Sequence, residues 1–129
     1  MKIQNSAVLV TGASRGLGAA LANELARRGA RVVLVARGAE ELEETARGIR
    51  ADGGVAYALA ADVAHKRAVY AIAGAAAALA GPISVVVHNA STLGPVPLRP
   101  LLDTDCEYLE RALAVNLVGP FRITKALAG

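Results

Sequence analysis

The chain has 129 residues, of which 54% are apolar and 3% aromatic, with a formal net charge of +3. That length allows one domain with a real core, and its arginines (among them Arg15, Arg27, Arg31, Arg47, Arg67, Arg99 and Arg111) are spread out without a cluster or interleaved aromatics, which argues against a nucleic-acid face. Cys106 is the single cysteine: an internal disulfide is excluded, a reducing cytoplasm fits, and no apolar run is long enough for a secretory leader or a membrane span.

The first strand is expected over Ser6–Val10, where Ala7-Val8-Leu9-Val10 is β-rich and too short for a helix. After it, Leu17, Leu21 and Leu25 recur at helical spacing, giving a helix over Leu17–Arg28 with Gly29 as its stop. Between them lies Thr11-Gly12-Ala13-Ser14-Arg15-Gly16-Leu17-Gly18. A strand feeding a helix through a Gly-rich turn builds an anion site, because glycine admits a phosphate close to the backbone and the first-turn N–H groups point at it. The spacing Gly-x-x-x-Gly-x-Gly is neither Gly-x-Gly-x-x-Gly nor a P-loop. The flanking strand and helix favour a dinucleotide site over the plainer alternative, an ordinary strand–helix turn.

A second strand, Arg31–Ala36, is a continuous β-branched run of the kind buried in parallel sheets. A helix over Ala39–Ala51 carries Glu43 and Arg47 at i,i+4 spacing and ends before Gly53-Gly54. A third strand follows at Val55–Ala60, then an alanine-rich helix over Lys66–Ala80. The fourth strand, Ile83–His88, leads into a loop with Gly94, Pro95, Pro97 and Pro100, which is expected to border a pocket. The last helix is placed from about Asp103–Asp105, whose carboxylates suit a helix N-terminus, and runs on to Gly129. Strand and helix alternate throughout, which implies an α/β fold with a parallel sheet covered on both faces. Cys106 lies among acids that oppose thiolate formation, so it is expected to be inert.

Two further features bear on chemistry. An NAD-preferring site places an acid at the end of the second strand; Ala36 and Arg37 stand there instead. Arginine pairs bidentately with the extra phosphate of NADP, whereas a carboxylate repels it; solvated surface arginines are the alternative. Near the other end of the chain, Pro120 has no N–H to give the carbonyl of Asn116, four residues back. That carbonyl is therefore expected to be free for water, or else merely hydrated at a proline kink.

Taken together, the turn at 11–18, the strand ending near Arg37, the Asp62-Val63 pair, His88-Asn89-Ala90-Ser91 and Asn116 within a helix resemble the short-chain dehydrogenase/reductase family, in order and over essentially the whole chain. The resemblance implies a Rossmann-like doubly wound parallel sheet with strand order 3-2-1-4, incomplete here. It also implies hydride transfer between NAD(P) and a small-molecule carbonyl or alcohol, in a protein that is a homo-oligomer when complete. NADP is expected rather than NAD, with Arg15 similar to the second basic residue of NADP-preferring members. The implied cofactor contacts are Gly12, Ser14, Arg15, Gly16, Leu17, Gly18, Arg37, Asp62, Val63, Asn89, Ala90 and Ser91. Among these, Asp62 would hold the adenine amino group and the Val63 N–H a ring nitrogen; the competing role for Asp62 is to cap the third helix. His88 replaces the family's first Asn in this stretch and is expected to be structural, while Ser91 replaces a Gly and adds a Cβ where the cofactor ribose approaches.

The resemblance assigns Asn116 a catalytic role, holding a water that links a catalytic lysine to solvent. It also requires a serine on a fifth strand and a Tyr-x-x-x-Lys pair, whose spacing puts both side chains on one helical face. Tyr57, Tyr70 and Tyr108 are followed four residues on by Ala61, Gly74 and Ala112, and Lys125 has Phe121 at the tyrosine position. Members of the family usually run considerably longer. The expectation is therefore one NADP-binding domain over residues 1–129, the N-terminal portion of a cytoplasmic oxidoreductase and inactive alone. The alternative is a non-catalytic module that binds NADP or dimerises.

Overall fold

Four apolar runs form one parallel sheet in the computed structural model, which describes residues 2–94 and 96–128. In chain order the elements are β1 (Ala7–Thr11), α1 (Gly16–Arg27), β2 (Arg31–Ala36), α2 (Ala39–Ala51), β3 (Val55–Ala60), α3 (Lys66–Ala80), β4 (Val85–Val87), α4 (Cys106–Leu113) and α5 (Gly119–Ala128). A 3-10 turn, Leu101–Asp103, precedes α4, and a π turn, Ala114–Val118, joins α4 to α5. The strand order is β3-β2-β1-β4, the Rossmann-like arrangement that the resemblance implies. In the centre of the sheet Leu9 stands opposite Val33 on one side and Val86 on the other.

Both faces of the central strands are buried, which explains their unbroken apolar runs. Val8, Val10, Val32 and Leu34 pack against Ala22 and Ala26 of α1 and Leu42, Ala46 and Ile49 of α2. Ala7, Leu9, Val33 and Val35 face the other way, onto Val69, Ile72 and Ala76 of α3 and Ile123 of α5. Alanine on the inner helical faces lets helix and sheet approach closely, so few aromatics are needed. Each fully buried leucine, such as Leu9 or Leu34, contributes about 1.5–3 kcal/mol.

β2, α2, β3 and α3 have the bounds that the periodicity places. β1 and α1 are each offset by one residue. β4 is shorter than the expected Ile83–His88. Its far end leaves the ladder because the Asn89 N–H donates to the Thr11 hydroxyl at 3.1 Å and the His88 ring meets Thr124 Oγ1 at 2.8 Å. The last helix is not continuous either. Pro120 lacks an N–H and crowds the carbonyl of Asn116, and the chain widens there so that the Gly119 N–H donates to the Ala114 carbonyl. Gly119 is buried, and a Cβ on it would lie 2.5 Å from the Val63 carbonyl oxygen. Glycine there lets α5 sit against the β3–α3 turn.

β4 is one edge of this sheet, with β3 at the other, and its valines are only half-buried. An apolar edge with unpaired backbone groups pairs with other edges. The chain is therefore expected to self-associate, its apparent mass rising with concentration in sedimentation velocity runs. A monodisperse monomer with strongly protected amides over residues 83–88 would contradict this.

Candidate functional site

The Gly-rich turn sits where β1 hands over to α1, and its glycines do different jobs. Gly12 and Gly16 have φ of +64° and +61°, which side-chain-bearing residues rarely adopt. Gly12 also approaches closely, since a Cβ there would lie 2.9 Å from the Ala90 Cα. Gly18 has an ordinary φ, but a Cβ on it would lie 2.1 Å from the Gly12 carbonyl oxygen and 2.5 Å from Asn89 Nδ2. Because backbone blocks the added methyl, Gly18→Ala is expected to destabilise the chain by about 1–3 kcal/mol or more through overpacking. Urea unfolding measures this, and an unchanged midpoint would show that the contact relaxes freely. Arg15, at the N-cap of α1, is extended and makes no side-chain capping bond. The first-turn amides of α1 therefore remain available to an acceptor.

Sequence reasoning missed Thr11. It is 2% exposed, and its hydroxyl accepts the N–H groups of Asn89 and Ala90 at 3.1 and 3.0 Å. Asn89 Nδ2 in turn donates to the Gly12 carbonyl at 3.1 Å. These bonds stitch the chain leaving β4 to the chain leaving β1. The available signal was a hydroxyl ending a buried strand where a valine would fit the pattern. Asn116 fastens the next stretch of the same loop: its Oδ1 accepts the Thr92 N–H and its Nδ2 donates to the Thr92 carbonyl, both at 2.8 Å.

A cleft of about 410 Å³ opens at the carboxyl ends of the strands. Of the residues singled out from the sequence, Gly12, Ser14, Arg15, Arg37, Asp62, Val63, Asn89, Ala90 and Ser91 line it. Gly16, Leu17, Gly18 and Asn116 do not; they shape the turn and the loop behind it, and the Leu17 side chain is 74% exposed. Glu41, Thr92, Arg111 and Val115 line it without having been anticipated. The Pro-rich loop borders a different hollow: Gly94, Leu98 and Arg99 face Tyr108 and Leu109 around about 140 Å³. Pro95 lies outside the described residues. Cys106 is exposed in the first turn of α4, away from the cleft.

Asp62 does not cap α3. That helix begins at Lys66, and Asp62 Oδ1 instead closes a tight turn by accepting the Ala64 N–H at 2.9 Å. Its Oδ2 accepts from Arg111 at 2.9 Å. Burial is the largest single influence on this carboxyl and opposes ionisation. The Ala64 N–H and Arg111 together outweigh it, holding the pKa below the usual aspartate value. Burial lowers the pKa of His88, which favours the neutral ring that meets Thr124. Arg15 and Arg37 are exposed on the cleft, and neither makes an ion pair among the described residues.

Comparison with known proteins bears on this site. The family model described as short chain dehydrogenase matches residues 6–129. An uncharacterized oxidoreductase of Mycobacterium tuberculosis is 36% identical over 125 residues, covering 97% of this chain and 46% of the relative. An L-rhamnose 1-dehydrogenase (NAD(P)+) of Azotobacter vinelandii is 37% identical over 132 residues, covering 99% of this chain and 50% of the relative. The crystal structure of a metagenomic short-chain oxidoreductase in complex with NADP superposes with a TM-score of 0.90 at 40% identity, covering 97% of this chain and 56% of that one. The chain thus spans about half the length of the curated relatives it matches.

Proposed function

The chain belongs to the short-chain dehydrogenase family, and on that premise we propose that residues 1–129 form the NADP(H)-binding domain of an oxidoreductase acting on a small carbonyl or alcohol. The supporting observation is convergence: Gly12, Ser14 and Arg15 of the Gly-rich turn, Arg37, Asp62-Val63 and Asn89-Ala90-Ser91 are far apart in sequence and meet on one cleft. The residues present fit such a ligand. Bare glycine backbone, uncapped helix amides and two arginines outside ion pairs offer donors and positive charge, and the Asp62 carboxylate is balanced by Arg111.

In this role Gly12 and Ser14, with the amides of Gly16, Leu17 and Gly18, hold the pyrophosphate. Arg15 and Arg37 take the phosphate on the adenosine ribose, where Ala36 leaves no competing carboxylate. Glu41, in the first turn of α2, is accounted for by the helix dipole. Asp62 accepts from the adenine amino group, and the Val63 N–H donates to a ring nitrogen. Asn89, Ala90 and Ser91 run along the cofactor ribose, and the Asn116 carbonyl holds a water. When bound, the cofactor donates or accepts the hydride. The protein would work in the cytoplasm as a homo-oligomer; no helix among the described residues is long and apolar enough to cross a membrane.

Titrating the chain with NADPH, followed by the cofactor's fluorescence, tests the proposal. Saturable binding displaced by NADP is expected, and the absence of binding at millimolar cofactor would remove it. A second role, as a non-catalytic module that binds NADP or dimerises, is favoured by the exposed row Leu109, Leu113, Leu117 and Phe121 along α4, the π turn and α5. The coding sequence beyond Gly129 separates the two. An in-frame serine and Tyr-x-x-x-Lys supports the enzyme, and a stop codon the module.

A further inference from the structure

Asp62 is held by a residue that the cofactor contacts above do not use. Arg111 comes from α4, 49 residues further along the chain, and donates to Asp62 Oδ2 at 2.9 Å. Asp62 Oδ1 is engaged separately, by the Ala64 N–H of its own turn at 2.9 Å. Each carboxylate oxygen is thus tied to a different element, which fixes the plane of the group and leaves each oxygen a further lone pair. The two side chains are 24% and 37% exposed and line the same cleft. His65 Nε2 also lies 3.4 Å from Oδ2, but its side chain is 68% exposed, too open to fix an orientation. An ion pair between two freely moving surface side chains gains little. This one joins half-buried groups, one already hydrogen-bonded to backbone, and so removes the rotational freedom that a ligand would otherwise have to remove.

We infer that Arg111 is a positioning residue for purine recognition: it presets Asp62 as the acceptor for an exocyclic amino group, so that the cleft distinguishes adenine from hypoxanthine. The inference rests on the NADP(H) role proposed above. An ionised carboxylate only accepts hydrogen bonds. Adenine offers it an N–H donor, whereas hypoxanthine presents a carbonyl oxygen at the same position and sets acceptor against acceptor. The discrimination is sharp only while the carboxylate is ionised and cannot rotate away; the Ala64 N–H holds one oxygen, and Arg111, by holding the other, completes both conditions.

The test compares NADPH with its deaminated analogue, in which hypoxanthine replaces adenine. Both are titrated against the chain and its Arg111→Ala, Arg111→Lys, Asp62→Ala and doubly substituted variants, with thermal melting recorded for each. Unaltered protein is expected to prefer NADPH. Arg111→Ala should weaken NADPH binding by about tenfold, the scale of one charge-assisted hydrogen bond, and leave the analogue unchanged. Arg111→Lys should restore part of the preference, and Arg111→Ala should have no further effect once Asp62 is alanine. A residue that merely ties α4 to the sheet would weaken both dinucleotides equally and lower the melting temperature; that result, or unchanged NADPH binding, overturns the inference. Binding by the unaltered chain without base preference overturns the inference alone. Binding of neither dinucleotide overturns the cofactor role and the inference with it.

Discussion

A purified chain of these 129 residues is expected to turn over no carbonyl substrate with NADPH. The chemistry implied by the family needs a tyrosine to exchange a proton with the carbonyl oxygen, and a lysine one helical turn on to lower its pKa. No tyrosine in this sequence is followed by lysine at that spacing, and Lys125 has Phe121 in the tyrosine's place. Phe121 is 66% exposed and carries no ionisable group. A positioned general acid is worth roughly 10²–10⁴-fold, before the lost supports of serine and lysine are counted. A mass-verified preparation assayed for NADPH oxidation against a broad carbonyl panel checks this. Reproducible turnover would mean that another group in the cleft donates the proton.

NADPH is expected to bind more tightly than NADH, by roughly 1.5–3 kcal/mol for charge-assisted bonds to one phosphate, or about 10–150-fold. The cause is local. β2 ends at Ala36, which contributes no carboxylate, and Arg37 follows it and lines the cleft, as Arg15 does. Arg37→Asp is expected to reverse the preference, because the new carboxylate repels the phosphate and accepts from the ribose hydroxyls of NADH. Calorimetric titration of both cofactors against both proteins gives the four affinities required. Equal affinities in the unaltered chain, or tighter NADH, would contradict the assignment of the arginines.

The fold was legible wherever burial on both faces left an unambiguous apolar run. Val32–Val35 reads as a buried parallel strand because nothing polar interrupts it, and the structure buries all four residues. β4 was read too long because Ile83 and His88 look like strand residues. The backbone bonds that Thr11 takes from Asn89 and Ala90 have no pattern in one strand's sequence, so the ladder's early end could not be seen. Pro120 signalled a disturbance at Asn116, but a plain kink and a π turn share that signal. Gly119, which lets α5 approach Val63, decides between them only once the neighbouring carbonyl is known. In the site, Gly12 stood out from the local turn motif and Asp62 from the family resemblance, and both line the cleft. Arg111 was not, because its significance comes from an ion pair across 49 positions. The Pro-rich loop continues the cleft-lining stretch that leaves β4, yet it turns toward α4 and lines a separate apolar hollow.

The measurement closest to the central claim is backbone amide mapping of the isotopically labelled chain by NMR during NADPH addition. The largest shifts are expected at Gly12–Gly18, Arg37, Asp62, Val63 and Asn89–Ser91, saturating together with one affinity. Shifts confined to the hollow around Leu93, Leu98 and Tyr108, with the amides of the Gly-rich turn unmoved, would contradict it.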